Sequence, residues 1–351
     1  MNATVVGAGT IGSYLAMRLG EKAEVIERRK SLERKTCGGL VSKKGIEKLR
    51  VPYEEAIVNE VNTASIQAGR EVLEVKRKDT QAYVLNMLKL KEEMQEKATD
   101  NGATFRFSET WGKGRDEGKI LVGADGALST VAKQKSTLNP IYHTYQIIAD
   151  WEGERNKVHL YFGNYSPEFF GWIIPYEEGN AKIGIATINR DPRKALNRFM
   201  GTERIKIGKI HSDGSSPIPL FNPEKQVVGE DWALVGDSAG QTKATTGGGV
   251  ALGLEAADYL VKAIENQKLV EYRNRYEENL KPILKDHLEI RRFLNSVNKE
   301  KLISKLNKHG MKEVIEEYGE MERTDELKKE VMKKALKKPA LWLLGVSYLL
   351  K

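Results

Sequence analysis

The chain has 351 residues, a formal charge of +8, 30% charged and 7% aromatic residues, and a single cysteine, Cys37. That length builds about two domains around a substantial core; one cysteine excludes an intrachain disulfide and points to a reducing compartment; and dispersed lysines without a legible nucleic-acid module exclude nucleic acid as the expected partner. An anionic substrate or an anionic membrane surface explains the basic balance more economically, and with no apolar run of about 18 residues and a core strand at its very start, a cytoplasmic protein without a secretory signal is expected.

Residues 4–6 read as a short apolar strand that runs into Gly7, Gly9 and Gly12 in G-x-G-x-x-G spacing, with residues 13–20 continuing as a helix. This is a dinucleotide-binding turn in its proper setting. Gly7 permits the tight turn, Gly9 lets backbone N–H groups approach a pyrophosphate, and Gly12 lets the helix pack on the strand. Thr10 and Ile11 complete the turn. Such a turn is followed about 20 residues on by an acidic residue for ribose hydroxyls, and Glu27 ends the next strand in that place. Arg28 is counted with the cofactor contacts, solvated charge being its alternative, shared with Arg29.

The paired glycines Gly38 and Gly39 beside Cys37 mark a loop next to the cofactor or an ordinary turn. Residues 41–49 are expected to be helical with Ser42 as N-cap, residues 64–75 strand, residues 85–98 helix, and Asn101-Gly102 its stop. Further strands are expected at 103–107 and 120–122. The second of these leads into Asp125-Gly126, at the carboxyl end of a buried parallel strand where open α/β sheets bind ligands; a plain helix-capping turn is the alternative. Residues 141–210 then change to β-rich segments with aromatics, as expected of antiparallel strands in a separate layer, with a helix at 192–200. A strand at 232–235 returns the chain to the first domain, followed by Gly236-Asp237. Gly247, Gly248, Gly249 and Val250 open a long apolar helix whose N–H groups and positive dipole end suit something negative or carbonyl-bearing. The remainder is helical and strongly charged. It closes on lysines, Pro339 and an apolar run at 340–350, which either lies in a membrane interface or packs on its own domain or a second subunit.

A nicotinamide enzyme needs only the first turn. Two further aspartate-bearing turns and a glycine-opened helix suit a cofactor held along its whole length, with ADP on the first turn, Asp237 on a ribityl chain and the Gly247, Gly248 and Gly249 amides at a flavin edge. FAD is the expected cofactor, and no metal is expected.

The first glycine turn, Asp125-Gly126 and Gly236-Asp237 resemble the FAD-binding fold of the para-hydroxybenzoate hydroxylase class. Within that class the chain resembles the geranylgeranyl reductase family, including the archaeal digeranylgeranylglycerophospholipid reductases, through Cys37-Gly38-Gly39 and the stretch containing Phe169, Phe170, Trp172, Ile174 and Pro175, with Gly179 and Gly184 downstream. The resemblance covers about residues 1–265. It departs from the pattern at Met87, where many relatives place an arginine beside the flavin, so no contact is assigned to that helix. The implied fold is α/β, with a Rossmann-type FAD-binding domain (1–140 and 222–266, part of 60–84 joining the substrate sheet), an inserted antiparallel β-sheet substrate domain (141–221) and a C-terminal helical region (267–351).

The implied activity is reduction of isolated C=C bonds in a polyprenyl lipid, by hydride from flavin N5 and a proton on the other carbon. Phe162, Phe170, Trp172 and Ile174 are the expected substrate contacts, and Trp172, Pro175 and Cys37 the expected reacting end, with sheet core as the alternative for the aromatics. The electron donor is external, ferredoxin or NAD(P)H. A flavin monooxygenase or halogenase shares the cofactor fold, and a non-catalytic lipid carrier is the third reading.

Overall fold

The computed structural model describes residues 2–33, 36–112 and 119–337. The apolar run at 340–350 therefore lies outside the described residues. In chain order the elements are β1 (Ala3–Val6), α1 (Thr10–Leu19), β2 (Ala23–Glu27), β3 (Leu40–Ser42), α2 (Lys43–Glu47), β4 (Ile57–Val61), β5 (Thr63–Ala68), β6 (Glu71–Lys76), β7 (Ala82–Leu85), α3 (Met87–Asp100), β8 (Thr104–Phe107), β9 (Ile120–Gly123) and α4 (Thr130–Lys135). The β-rich middle follows as β10 (Ile141–Asp150), β11 (Lys157–Phe162), β12 (Gly171–Pro175), β13 (Asn180–Thr187), α5 (Pro192–Thr202), β14 (Ile210–Gly214) and β15 (Ile218–Pro219). Then come β16 (Trp232–Leu234), α6 (Val250–Glu265), α7 (Leu269–Arg275), α8 (Lys281–Ser296), α9 (Lys299–Lys308), α10 (Met311–Tyr318) and α11 (Asp325–Lys337).

Among these residues β16, β9, β1, β2 and β8 form a parallel five-stranded sheet in that order. Every residue of β1 and β9 is buried, as a parallel sheet covered on both faces requires. Helix α1 packs against both α3 and α6. The helix starts follow from local capping: Asn86 Oδ1 accepts the Leu88 and Lys89 amides at 3.1 and 3.2 Å, and Ser42 Oγ accepts the Gly45 amide at 3.0 Å. The helix expected at 41–49 is accordingly shorter, because the chain is still strand β3 up to its cap.

The second sheet runs β14-β10-β13-β12-β11-β5-β6, with β15 on β10, and β11 pairs parallel to β5. The stretch 64–75 is thus two strands of a hairpin turned at Gly69-Arg70, not one. Side chains alternate across a strand, and this divides the sheet into two uses. Ile147, Ile173, Ile183 and Ile185 pack with Phe199 of α5 on one face. Trp172, Ile174 and Ile148 belong to the cluster on the other, together with Phe169 and Phe170 that precede β12. Strands β3, β7 and β4 form a small sheet of their own. Among the described residues no helix is long and apolar enough to cross a membrane.

Candidate functional site

The first turn is built by close backbone packing. Gly7 has φ +101°, and a Cβ on it would lie 2.7 Å from Ala124 O. A Cβ on Gly12 would lie 1.8 Å from Gly7 O, so α1 sits on the turn only because that atom is missing. Gly9 is different: a Cβ there meets nothing nearer than Ala124 O at 4.0 Å, so open space borders this residue at the N-terminus of α1. Glu27 Oε2 accepts the Ala8 N–H and Oε1 the Arg29 N–H, each at 2.9 Å, so this carboxylate braces the turn.

A cavity of about 710 Å³ begins here and is lined by residues of both sheets and of the C-terminal region. That is toward the upper part of the usual range for small-molecule sites, about 300–1,000 Å³. Its wall carries Gly7, Gly9, Thr10, Ile11, Glu27 and Arg28 at one end, then Cys37, Gly38, Gly39, Asp125, Gly126 and Asp237, then Gly247, Gly248, Gly249 and Val250. Phe170, Trp172 and Ile174 line the same space. Gly249 is the N-cap of α6, and first-turn amides of a helix have no intrahelical acceptor, so α1 and α6 both present N-terminal amides to this cavity.

Four expected contacts are not on the wall. Gly12 is buried against Gly7, and Gly236 lies under Ile11, where a Cβ would come within 2.8 Å of Ile11 Cγ1. Pro175 shares the parity of Gly171 and Ile173, so it falls on the α5 side of β12 while Trp172 and Ile174 face the cavity. Phe162 packs edge-on against Phe170, ring centroids 5.8 Å apart, and is absent from the lining. The Asp125 carboxylate is turned to the start of α4, accepting from Ser129 Oγ and from the Thr130 amide at 2.6 Å. Helix capping thus accounts for its side chain, while the residue itself still borders the cavity. Burial raises its pKa against those hydrogen bonds.

The structure adds residues that local patterns did not single out. The Trp172 indole N–H donates to Gln146 Oε1 at 3.1 Å, and Gln146 Nε2 donates to Cys37 O at 3.3 Å. The indole lies so close to β13 that a Cβ on Gly184 would be 2.4 Å from Trp172 Cζ2. Lys182 Nζ, 4.0 Å from the Tyr176 ring centroid, donates to Gly38 O at 3.1 Å. The aromatic strand and the Cys37 loop are therefore one hydrogen-bonded unit. A polar Gln146 beside Ile147 and Ile148 was the only sequence signal for it. Helix α3 also contributes: Met87 and Lys91, one turn apart, both line the cavity, and Lys91 Nζ donates to Glu33 O. The wall also includes Ile66, Val75 and Leu160 of the sheet and Ile315, Met321 and Leu327 of the C-terminal region, with Arg77, Gln81 and Glu320 among the polar residues beside them.

No family model matches the sequence. An uncharacterised protein of Methanocaldococcus jannaschii is 24% identical across 94% of both chains. The digeranylgeranylglycerophospholipid reductase of the same organism is 25% identical, covering 96% of this chain and 95% of its own length. Among solved structures, a geranylgeranyl bacteriochlorophyll reductase-like protein of Thermoplasma acidophilum superposes with TM-score 0.81 at 20% identity, covering 97% of each chain. A probable FAD-dependent monooxygenase of Pseudomonas aeruginosa superposes with TM-score 0.63 at 15% identity, covering 87% of this chain and 99% of its own.

Proposed function

Because the chain belongs to the geranylgeranyl reductase family, we propose that it is an FAD-dependent reductase that saturates C=C bonds of geranylgeranyl chains in isoprenoid lipids. The observation that carries this reading is that one cavity is lined by the glycine turn, by Cys37 and Trp172, and by a mainly apolar extension of the sheet and the C-terminal region. A soluble small-molecule substrate would not need that apolar extension.

The chain's own groups fit FAD. The open space at Gly9 admits a pyrophosphate to the α1 amides, and the Glu27 oxygens, each holding one backbone amide, keep lone pairs for ribose hydroxyls. Asp237, on the same cavity wall, is assigned to a ribityl chain, and the Gly249 and Val250 amides at the start of α6 to the carbonyl edge of the ring. Bound FAD supplies hydride from reduced N5 to one alkene carbon. Phe170, Trp172 and Ile174, each no more than 9% exposed, exclude water so that developing cationic character is not trapped as an alcohol. Cys37 borders the same space and is assigned to positioning the alkene or delivering the proton to its second carbon. The apolar channel past Ile66, Val75 and Leu160 receives the rest of the polyprenyl chain. Electrons come from an external donor, ferredoxin or NAD(P)H. In domain terms, residues 1–140 with 222–266 hold the cofactor and residues 141–221 cover the substrate.

The test is to reduce the purified protein's flavin without oxygen and offer geranylgeranyl lipids. Loss of double bonds by mass spectrometry supports the proposal. Unchanged lipid beside a reduced flavin, or a hydroxylated or halogenated product once oxygen is admitted, overturns it.

A further inference from the structure

Three consecutive residues of the loop before α6 are gripped from behind by the C-terminal region. Lys243 Nζ donates to Met321 O at 2.8 Å and to Glu322 Oε1 at 2.9 Å, with the two side chains only 5% and 9% exposed. Arg291 of α8 donates from Nε to Ala244 O at 2.9 Å and from Nη2 to Thr245 O, while its guanidinium lies 4.7 Å from the Phe169 ring centroid. His287 Nδ1 is 2.7 Å from Thr245 Oγ1, and His287 Nε2 is 2.9 Å from Glu322 O. A carbonyl only accepts, so Nε2 carries the proton and Nδ1 accepts from the threonine hydroxyl. The network thereby fixes its own tautomer.

Lys243 and Glu322 both line the cavity, and a Cβ on Gly248 would lie 3.3 Å from Lys243 Cε and 3.6 Å from its Nζ. The ammonium thus stands directly behind the glycine loop. A buried ion pair is a poor source of stability, because desolvating both charges offsets most of their attraction. Its value lies in where it puts charge.

We propose that the C-terminal region is a clamp on the glycine loop, in which Lys243 supplies a fixed positive charge at the ring end of the cofactor and Glu322, His287 and Arg291 are positioning residues that hold it and the loop in place. Glu322 also attenuates that charge, and the balance between the two sets how strongly a negative ring edge is favoured. This rests on the FAD reading above.

The test uses midpoint potentials of the full-length flavoprotein, with lipid kcat and KM alongside. Lys243→Met weakens binding of the reduced relative to the oxidised cofactor about tenfold, which for two electrons is a fall of about 30 mV. Glu322→Gln leaves Lys243 uncompensated and moves the potential up by a similar amount. Arg291→Lys, which keeps the charge but cannot hold both carbonyls, lowers FAD affinity several-fold and reduces kcat with the lipid KM retained. The double variant K243M/E322Q leaves no unpaired buried charge and gives a potential between the two single variants. Potentials of K243M and E322Q that shift in the same direction, or not at all, overturn the clamp while leaving the FAD reading intact. Should one single variant fail to fold, the other carries the test: a K243M protein whose potential does not fall, or an E322Q protein whose potential does not rise, overturns the clamp. A wild-type protein without flavin overturns the FAD reading itself, and the clamp with it.

Discussion

The two ends of the cavity, proposed above to take the nucleotide and the flavin ring, are made in different ways. At the nucleotide end the turn, its glycines and its acid come from one short stretch, and the bond that ties them, Ala8 to Glu27, spans 19 positions. At the ring end Gln146 reaches Cys37 across 109 positions and Lys243 reaches Glu322 across 79. The first end needs only β1, α1 and β2, seated against β9 where Gly7 meets Ala124. The second exists only after the β-rich layer and the C-terminal helices have docked. Damage to the first should therefore abolish the site, whereas damage to the second should alter its behaviour.

The most severe test is Gly12→Ala. The new Cβ would overlap Gly7 O at 1.8 Å, and backbone on backbone has no room to yield. Overpacking of this kind costs about 3 kcal/mol or more. A protein that melts near the wild-type temperature and still carries flavin would show that the turn is looser than its packing implies.

At the ring end the largest single response is to acid. Burial first, then the neighbouring charge of Lys243, push His287 from 6.5 down to about 4. Above pH 6.5 neither folded nor unfolded chain protonates it, and its contribution is constant. As pH falls from 6.5 to 4 the unfolded chain takes up a proton that the folded chain refuses, and stability declines by about 3 kcal/mol. His287→Gln can still accept from Thr245 and donate to Glu322 O. Urea unfolding at pH 7 and pH 4.5 should show a smaller acid loss in that variant; an unchanged loss would place the acid sensitivity elsewhere.

Back at the nucleotide end, Glu27→Gln keeps the shape but gives the turn only one accepting oxygen for two amides. If the new amide nitrogen turns toward Ala8, that buried N–H loses its partner at about 1–3 kcal/mol; if it turns toward Arg29, the partly buried amide there loses its acceptor at a smaller cost. Reduced flavin retention on gel filtration is the expected result, with retained flavin showing that the amides find water instead.

The same contrast governs what the sequence discloses. Gly7, Gly9, Gly12 and Glu27 stand at fixed spacing in one unit, so their places in the turn are readable in order, and the aromatic face of β12 follows from alternation once a strand is assigned. Pro175 is lost by that same alternation, since its position falls one residue out of phase with Trp172 and Ile174. Phe162 packs edge-on against Phe170, the residue before β12, and it is Phe170 that lines the cavity. The hairpin at 64–75 is hidden because β-forming residues flank Gly69 without a stronger break. Lys243, Arg291, His287 and Glu322 carry no local pattern: each is an ordinary charged or polar residue of a loop or helix until tertiary packing buries it. Met87 misled in the opposite sense, since the missing arginine left α3 without an assigned contact although Met87 and Lys91 both face the cavity.

The smallest expected effect separates the inner from the outer grip on the C-terminal region. Lys44 pairs with Glu320, two residues before Glu322, but their side chains are 74% and 28% exposed. Water screens that pair, and such exposed bridges contribute about 0–1 kcal/mol. Lys44→Ala should shift the melting temperature slightly and leave the flavin potential unmoved, although it loosens the same stretch of chain that Lys243 holds. A potential shift as large as that of Lys243→Met would mean that the stretch acts through its general position over the cavity. An unmoved potential would leave buried charge beside Gly248 as the cause of the ring end's electrostatics.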